Sequence, residues 1–245
     1  MWIEDHGSEI IKYSYTKERI EAELTARWRE YGYSTKPDKF IALSFDDGPC
    51  ASSANGGTVA MLAILKEMNV LATFFVLGMN VRDNKDAARA ILAAGHELAN
   101  HSDNHENLGG NKPVEAIAEN LDSASQAVRE ITGTYPAFFR APFMSHASSL
   151  DQVCAERGMS LIDGTVHNDW PGDSRSIKES VLKNPNDGDI IVLHENNTSL
   201  GNTMAVLSEI ITGLRERGFW ILTVGGLAAV KEKTLEAGTR YKFFI

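Results

Sequence analysis

The 245-residue sequence predicts an α/β fold, a single-domain distorted (β/α)7 barrel with an N-terminal helical extension. Three observations lead there. Short apolar runs alternate with segments patterned for helix, as in successive strand–helix–strand units. The runs are apolar at nearly every position, as expected of parallel strands covered on both faces. No internal repeat, low-complexity stretch or long linker divides the units, so residues 37–245 read as one domain and residues 1–36 as its extension. Seven such units suggest closure into a barrel or a strongly curved sheet, with a doubly wound open sheet as the alternative.

The extension holds a helix over about Thr16 to Tyr31, where Ile20, Leu24 and Trp28 recur every four residues and give one apolar face. Gly32 and then Lys36 and Pro37 end it. It reads as a lid or brace with no part in chemistry. The first strand is Phe40–Phe45, stopped by the Gly48 and Pro49 turn, and a helix follows over Thr58–Met68. Next come strand Leu71–Leu77 and helix Lys85–Ala94, with Gly95 at the C-cap position. Strand His96–Asn100, helix Val114–Ile131, strand Ala137–Ala141 and helix Leu150–Arg157 continue the alternation. Strand Met159–Asp163 precedes helix Ser176–Lys183, and strand Asp189–His194 is built on the unbroken Ile190, Ile191, Val192 and Leu193. Helix Met204–Arg217, capped by Gly218, and strand Phe219–Val224 complete the set.

Composition is that of a soluble globular chain, 43% hydrophobic and 23% charged. The net charge of −9 disfavours nucleic acid and anionic membranes as partners and suits a neutral substrate or a bound cation. Cys50 and Cys154 are too few for a disulfide framework. Cys50 directly follows the Gly48 and Pro49 turn, so it reads as a buried free cysteine or as a reactive thiol. No stretch approaches the length of a membrane span. The opening residues Met1 to His6 are acidic and lack the apolar segment of a signal peptide. The expectation is a cytoplasmic protein or a mature domain without its export signal.

In parallel barrels, active sites form where the strands end. Five of the seven predicted strands deliver charged, histidine or metal-ligand residue types there. The first gives Asp46 and Asp47. Neighbours on an extended chain point to opposite sides, but the Gly48 turn can relax that alternation and bring both acids to one cleft; an Asx-type turn is the bland reading. The third is followed by His101 and His105, four residues apart and able, on a helical turn, to share a metal. With Asp47 they make an Asp-His-His set that leaves positions open for water and substrate. Zinc is the default, and cobalt, nickel or iron would also suit these ligands. A solvated loop after Asn100 is the alternative. The fourth strand ends at Arg140, which needs a carboxylate partner if buried, and Asp46 and Asp169 are the candidates. Beyond the fifth strand come Asn168, Asp169 and Trp170, and Trp170 is either core packing or a platform for a sugar face. His194 closes the sixth strand as a general acid or as a satisfied core histidine.

In their order and spacing these residues resemble the polysaccharide deacetylases of the NodB-homology type, carbohydrate esterase family 4. The likeness runs from about residue 38 to 230, with five motifs between residues 44 and 194. Ser44, Phe45, Asp46, Asp47, Gly48 and Pro49 match a first motif usually written Thr-Phe-Asp-Asp-Gly-Pro. His101, Ser102 and His105 match the second, Arg140, Pro142 and Phe143 the third, Asp169 and Trp170 the end of the fourth, and His194 the fifth. The resemblance implies that Asp46 is the catalytic base, that Asp47, His101 and His105 hold one divalent metal, and that Arg140 positions the catalytic carboxylates. It also implies that the Phe143 N–H helps bind the oxyanion and that His194 is the general acid. Phe143 stands where tyrosine is usual, Val166 where an aspartate normally opens the fourth motif, and Gly109 and Gly110 follow Leu108 where Ser or Thr often does.

The implied function is metal-dependent removal of acetyl groups from an N-acetylglucosamine polymer or acetylated xylan. No protein partner is indicated. A substrate of that class lies in cell walls or outside cells. The alternatives are an amidase acting on a small non-polymeric substrate and a non-catalytic carbohydrate-binding relative.

Overall fold

In the computed structural model, residues 6–10, 15–51, 57–166, 173–195 and 200–245 are described. Strand β1 (Lys39–Asp46) organises them by its alternation. Ile41, Leu43 and Phe45 point outward into the layer shared with the helices, while Ala42 belongs to the cluster inside the curled sheet. Ser44 and Asp46 share the inward face with Ala42. Both faces are buried, which is why the strand reads as an apolar run.

The other strands are β2 (Thr73–Val76), β3 (Glu97–Asn100), β4 (Phe138–Phe139), β5 (Ser160–Ile162), β6 (Thr165–Val166), β7 (Ile190–His194), β8 (Phe219–Leu222) and β9 (Arg240–Tyr241). They pair in parallel in the order β6-β7-β1-β2-β3-β4-β5-β9. Ala42 is in register with both Ile190 of β7 and Leu222 of β8. Those two strands therefore flank β1 on opposite sides, and β8 lies below β2 on a shared edge. The curl is pinned beyond β9: Phe243 bridges antiparallel to Asp189, and the Phe244 N–H donates to the Gly188 carbonyl at 2.9 Å. The result is the expected distorted (β/α)7 barrel. Strands β6 and β9 were not expected, because Thr165 and Val166, like Arg240 and Tyr241, lie in no apolar run.

The helices are α1 (Lys17–Arg27), α2 (Thr58–Glu67), α3 (Gly78–Asp83), α4 (Lys85–Ala93), α5 (Val114–Thr132), α6 (Leu150–Glu156), α7 (Ser174–Lys183), α8 (Leu200–Glu216) and α9 (Val224–Val230). Helix α9 replaces the expected end of a strand at Val224. Thr223 caps it, its hydroxyl accepting from the Gly226 N–H at 3.0 Å. Gly225 and Gly226 are poor helix formers, so packing against the barrel decides the conformation. Helix α1 buries Ile20 and Leu24, and beyond it Tyr31 and Tyr33 close around Trp220, Tyr33 stacked at 5.4 Å. It sits at the foot of the barrel, away from the Asp46 end of β1, as a brace and not a lid.

Inside the lower barrel lies a fully buried carboxyl, Glu97. It accepts from the Thr73 hydroxyl at 2.5 Å, the Thr223 hydroxyl at 2.7 Å and the Gly225 N–H at 3.1 Å. Burial pushes its pKa up to about 7, against these opposing hydrogen bonds. A carboxyl whose folded pKa exceeds its unfolded value stabilises fully below the unfolded pKa, and that contribution is lost as pH rises through the folded one. Between about pH 5 and pH 8 the wild type should lose roughly 2–3 kcal/mol more than Glu97→Gln does. Urea midpoints at the two pH values check this, and parallel losses would contradict it.

Candidate active site

The site begins with a backbone conformation. Asp46 ends β1 with its side chain inward, so strict alternation would send Asp47 outward. Asp47 instead adopts φ 75°, in the left-handed region that non-glycine residues seldom occupy. That turns its carboxylate back beside Asp46, as the sequence reading required. The Gly48–Pro49 peptide is cis. Neighbours hold the turn: the Asn80 amide of α3 donates to the Asp47 carbonyl at 2.7 Å, and the Leu77 N–H to the Gly48 carbonyl at 2.9 Å. Strained residues persist where surroundings over-determine them, often at functional sites.

His101 and His105 do reach one point, but not from a helical turn as expected. They lie on a loop after β3 in which Ser102 (φ 74°) and His105 (φ 59°) are left-handed. Side chains build the loop: the Ser102 N–H donates to Asn100 Oδ1 at 2.7 Å, the His105 N–H to Ser102 Oγ at 3.1 Å, and the Asp103 N–H to Asn120 Oδ1 at 2.8 Å. Asn100 is itself anchored to Ser125 and the Leu121 carbonyl of α5. Gly78 permits the close approach of α5 and this loop, since a Cβ there would overlap both Asp103 and Ala124.

Asp47 Oδ1 lies 3.2 Å from His105 Nε2 and 3.4 Å from His101 Nε2, and the three ligand atoms all fall within 4.8 Å of one another. A tetrahedral ion with bonds of about 2.0–2.1 Å has ligand-to-ligand edges of roughly 3.3 Å. The donors are two imidazoles and a carboxylate, a set suited to zinc, cobalt, nickel or iron. His101 Nδ1 lies 2.8 Å from the Arg140 carbonyl. A carbonyl can only accept, so Nδ1 carries the proton and Nε2 keeps its lone pair for the cluster. The residues fit a divalent cation.

Arg140 is fully buried and has found Asp46. Its Nη1 donates to Asp46 Oδ1 at 2.6 Å and to Ser44 Oγ at 2.9 Å, Nε to the Ile162 carbonyl at 2.9 Å, and Nη2 to the Asp163 carbonyl at 3.1 Å. Its guanidinium lies 3.8 Å above the Phe75 ring. Asp46 Oδ2, the oxygen that Arg140 leaves, faces the cluster 3.8 Å from His101 Nε2.

His194, half-buried, ends β7 in register with Asp46, on the strand beside it. Phe143 sits in a 3-10 turn (Pro142–Met144) with φ 59°. The residue is 65% exposed, and its ring packs edge-on against His105, with centroids 4.6 Å apart. Asp169 and Trp170 lie outside the described residues.

Two residues near the site escaped the sequence reading. His146 Nε2 lies 3.3 Å from Asp163 Oδ1, behind Arg140; a histidine six residues past Arg140 was a signal that passed unused. Glu195 follows His194 and is completely buried, burial pushing its pKa up to about 7. Cys50 is free and buried, its thiol pushed up to about 12 by burial, which removes it as a nucleophile near neutral pH.

Residues 33–162 match the family model described as polysaccharide deacetylase. The bifunctional xylanase/deacetylase of Pseudobutyrivibrio xylanivorans is 34% identical over 82% of the chain, which spans 32% of that relative's length. The peptidoglycan-N-acetylglucosamine deacetylase of Bacillus cereus is 31% identical over 79% of the chain and 90% of the relative. Among solved structures, a family 4 acetyl xylan esterase from Clostridium thermocellum, in complex with a cobalt ion, superposes with a TM-score of 0.76 at 28% identity. That match covers 84% of this chain and 98% of the esterase.

Proposed function

The chain belongs to the polysaccharide deacetylase family, and we propose on that premise that it removes acetyl groups from a polysaccharide or oligosaccharide by hydrolysis at the Asp46 site. One observation carries the reading: Asp46 stands between Arg140 and the Asp47, His101 and His105 cluster, with one oxygen held and the other facing the cluster. A carboxylate so placed serves as general base, taking the proton of the attacking water. Asp47, His101 and His105 would hold a divalent cation, zinc by default, which when bound would supply Lewis-acid polarisation of the acetyl carbonyl and a more acidic water. Arg140 fixes the Asp46 rotamer. The Phe143 N–H, presented by its left-handed turn, donates to the developing oxyanion, a contribution of roughly 3–4 kcal/mol for one well-placed donor. His194, one strand away from Asp46, protonates the leaving nitrogen or oxygen. Asp169 and Trp170 complete the assignment as a further acidic group and a sugar platform.

The relatives named above are a xylanase/deacetylase, a peptidoglycan deacetylase and an acetyl xylan esterase. An N-acetyl and an O-acetyl substrate are both compatible with one base and one acid. Acetate release should be followed in parallel from chitooligosaccharides, peptidoglycan fragments and acetylated xylan. Release from at least one is expected, to be lost on chelation and regained when a divalent cation is restored. No release from any of them by the cation-loaded protein would overturn the proposal.

A further inference from the structure

We infer that Glu195 is a positioning residue, a clamp that locks the Asp46 and Asp47 turn to the end of β7. The inference takes the roles of Asp46 and Asp47 from the proposed function and adds what holds them in place. Glu195 reaches the turn at three points. Its N–H donates to the Asp46 carbonyl at 2.7 Å, before the turn. Its carboxyl lies directly against Gly48, where a Cβ would overlap it. Its carbonyl accepts from the Cys50 thiol at 2.6 Å, after the turn.

A second residue closes the circuit. The hydroxyl of Thr58, the first residue of α2, donates to Glu195 Oε1, and it accepts from the Cys50 N–H at 2.8 Å. Thr58 and Glu195 are both fully buried. A buried carboxyl is costly, and no lysine or arginine is paired with Glu195 among the described contacts. A leucine would fill similar space without that cost, but it could not take the Thr58 proton that ties α2 to β7. Because Glu195 follows His194 in the chain, the clamp sets the spacing between the strand carrying the acid and the turn carrying the base and a metal ligand. Site geometry must be held to about 0.5 Å, and a displacement near 1 Å can cost about 100-fold in rate.

The test compares Glu195→Ala, Glu195→Gln and Thr58→Val with the wild type. Zn²⁺ affinity is measured by competition with a chromophoric chelator, and kcat and KM by acetate release. Glu195→Ala should weaken Zn²⁺ binding by about tenfold or more and lower kcat by roughly 10- to 100-fold with KM within about twofold. Glu195→Gln, which keeps an oxygen for Thr58, should restore most of both. Thr58→Val, a near-isosteric change, should move both in the same direction to a smaller extent, and it carries the test if Glu195→Ala does not fold. Wild-type Zn²⁺ affinity in Glu195→Ala and Thr58→Val would overturn the clamp, as would a Glu195→Gln variant no better than Glu195→Ala. If the wild type releases no acetate from any substrate, the proposed function fails, while the Zn²⁺ affinities still decide the clamp.

Discussion

Asp46→Asn should lower kcat for acetate release by about 10²–10⁴-fold, the range that positioned proton transfer contributes. The substitution is close to isosteric. An asparagine oxygen can still accept from Arg140 Nη1, now 2.6 Å from Asp46 Oδ1, so the local structure has reason to persist. What disappears is a basic oxygen facing the cluster. Asp47, His101 and His105 are untouched, so the variant should bind a divalent cation with the wild-type stoichiometry. His101→Ala provides the contrast, because it removes a ligand and should lose cation and turnover together. Parallel measurement of metal content and initial rate separates the two cases. An Asp46→Asn variant within about tenfold of wild-type kcat would remove Asp46 from the role of base.

Arg140→Met should destabilise the fold by about 3–5 kcal/mol, the usual effect of removing one member of a buried ion pair. The argument lies in its surroundings. The guanidinium is wholly buried, donates to Asp46, Ser44 and the carbonyls of Ile162 and Asp163, and covers Phe75. Methionine fills part of that volume but satisfies none of those acceptors, and the Asp46 charge is left buried beside the cluster. The double variant Arg140→Met with Asp46→Asn should be less destabilised than the sum of the singles, because the unpaired charge is gone. Urea denaturation of the two singles and the double gives the coupling directly. Additive losses would mean that the pair contributes little to holding Asp46.

The elements legible in the sequence were those lying in apolar runs or in segments with a helical period. Strands β1 and β7 and helices such as α5 and α8 lie within a few residues of their expected bounds, because a strand buried on both faces must be apolar throughout. Strands β6 and β9, at Thr165–Val166 and Arg240–Tyr241, lie in no apolar run. Helix α9 runs against the local propensity of Gly225 and Gly226 and forms because its first turn packs onto Glu97. Which ends of the strands carry the site was also legible, since polar residue types gathered there. How His101 and His105 meet was not: spacing alone suggested a helical turn, and the structure uses a loop with two left-handed residues braced by Asn100, Ser102 and Asn120. Asn100 and Ser102 adjoin His101 in the chain, yet nothing in their identity announces the left-handed turns, and Asn120 reaches the loop from a separate element, α5.

By itself the sequence determined the fold class, the family likeness and the polar residue types gathered at the strand ends. Each of these is written locally, in the pattern of apolar runs and in short strings such as Asp46, Asp47, Gly48 and Pro49. The tertiary structure decided the partners. It gave Arg140 to Asp46, set Asp47 against both histidines, moved the N-terminal helix to the foot of the barrel, and placed Glu195 beneath the turn. The physical reason is that buried charge must find compensation in space, and the groups that supply it lie on other strands and other helices. A carboxylate can be read from one letter of sequence; what it can do follows from the groups around it.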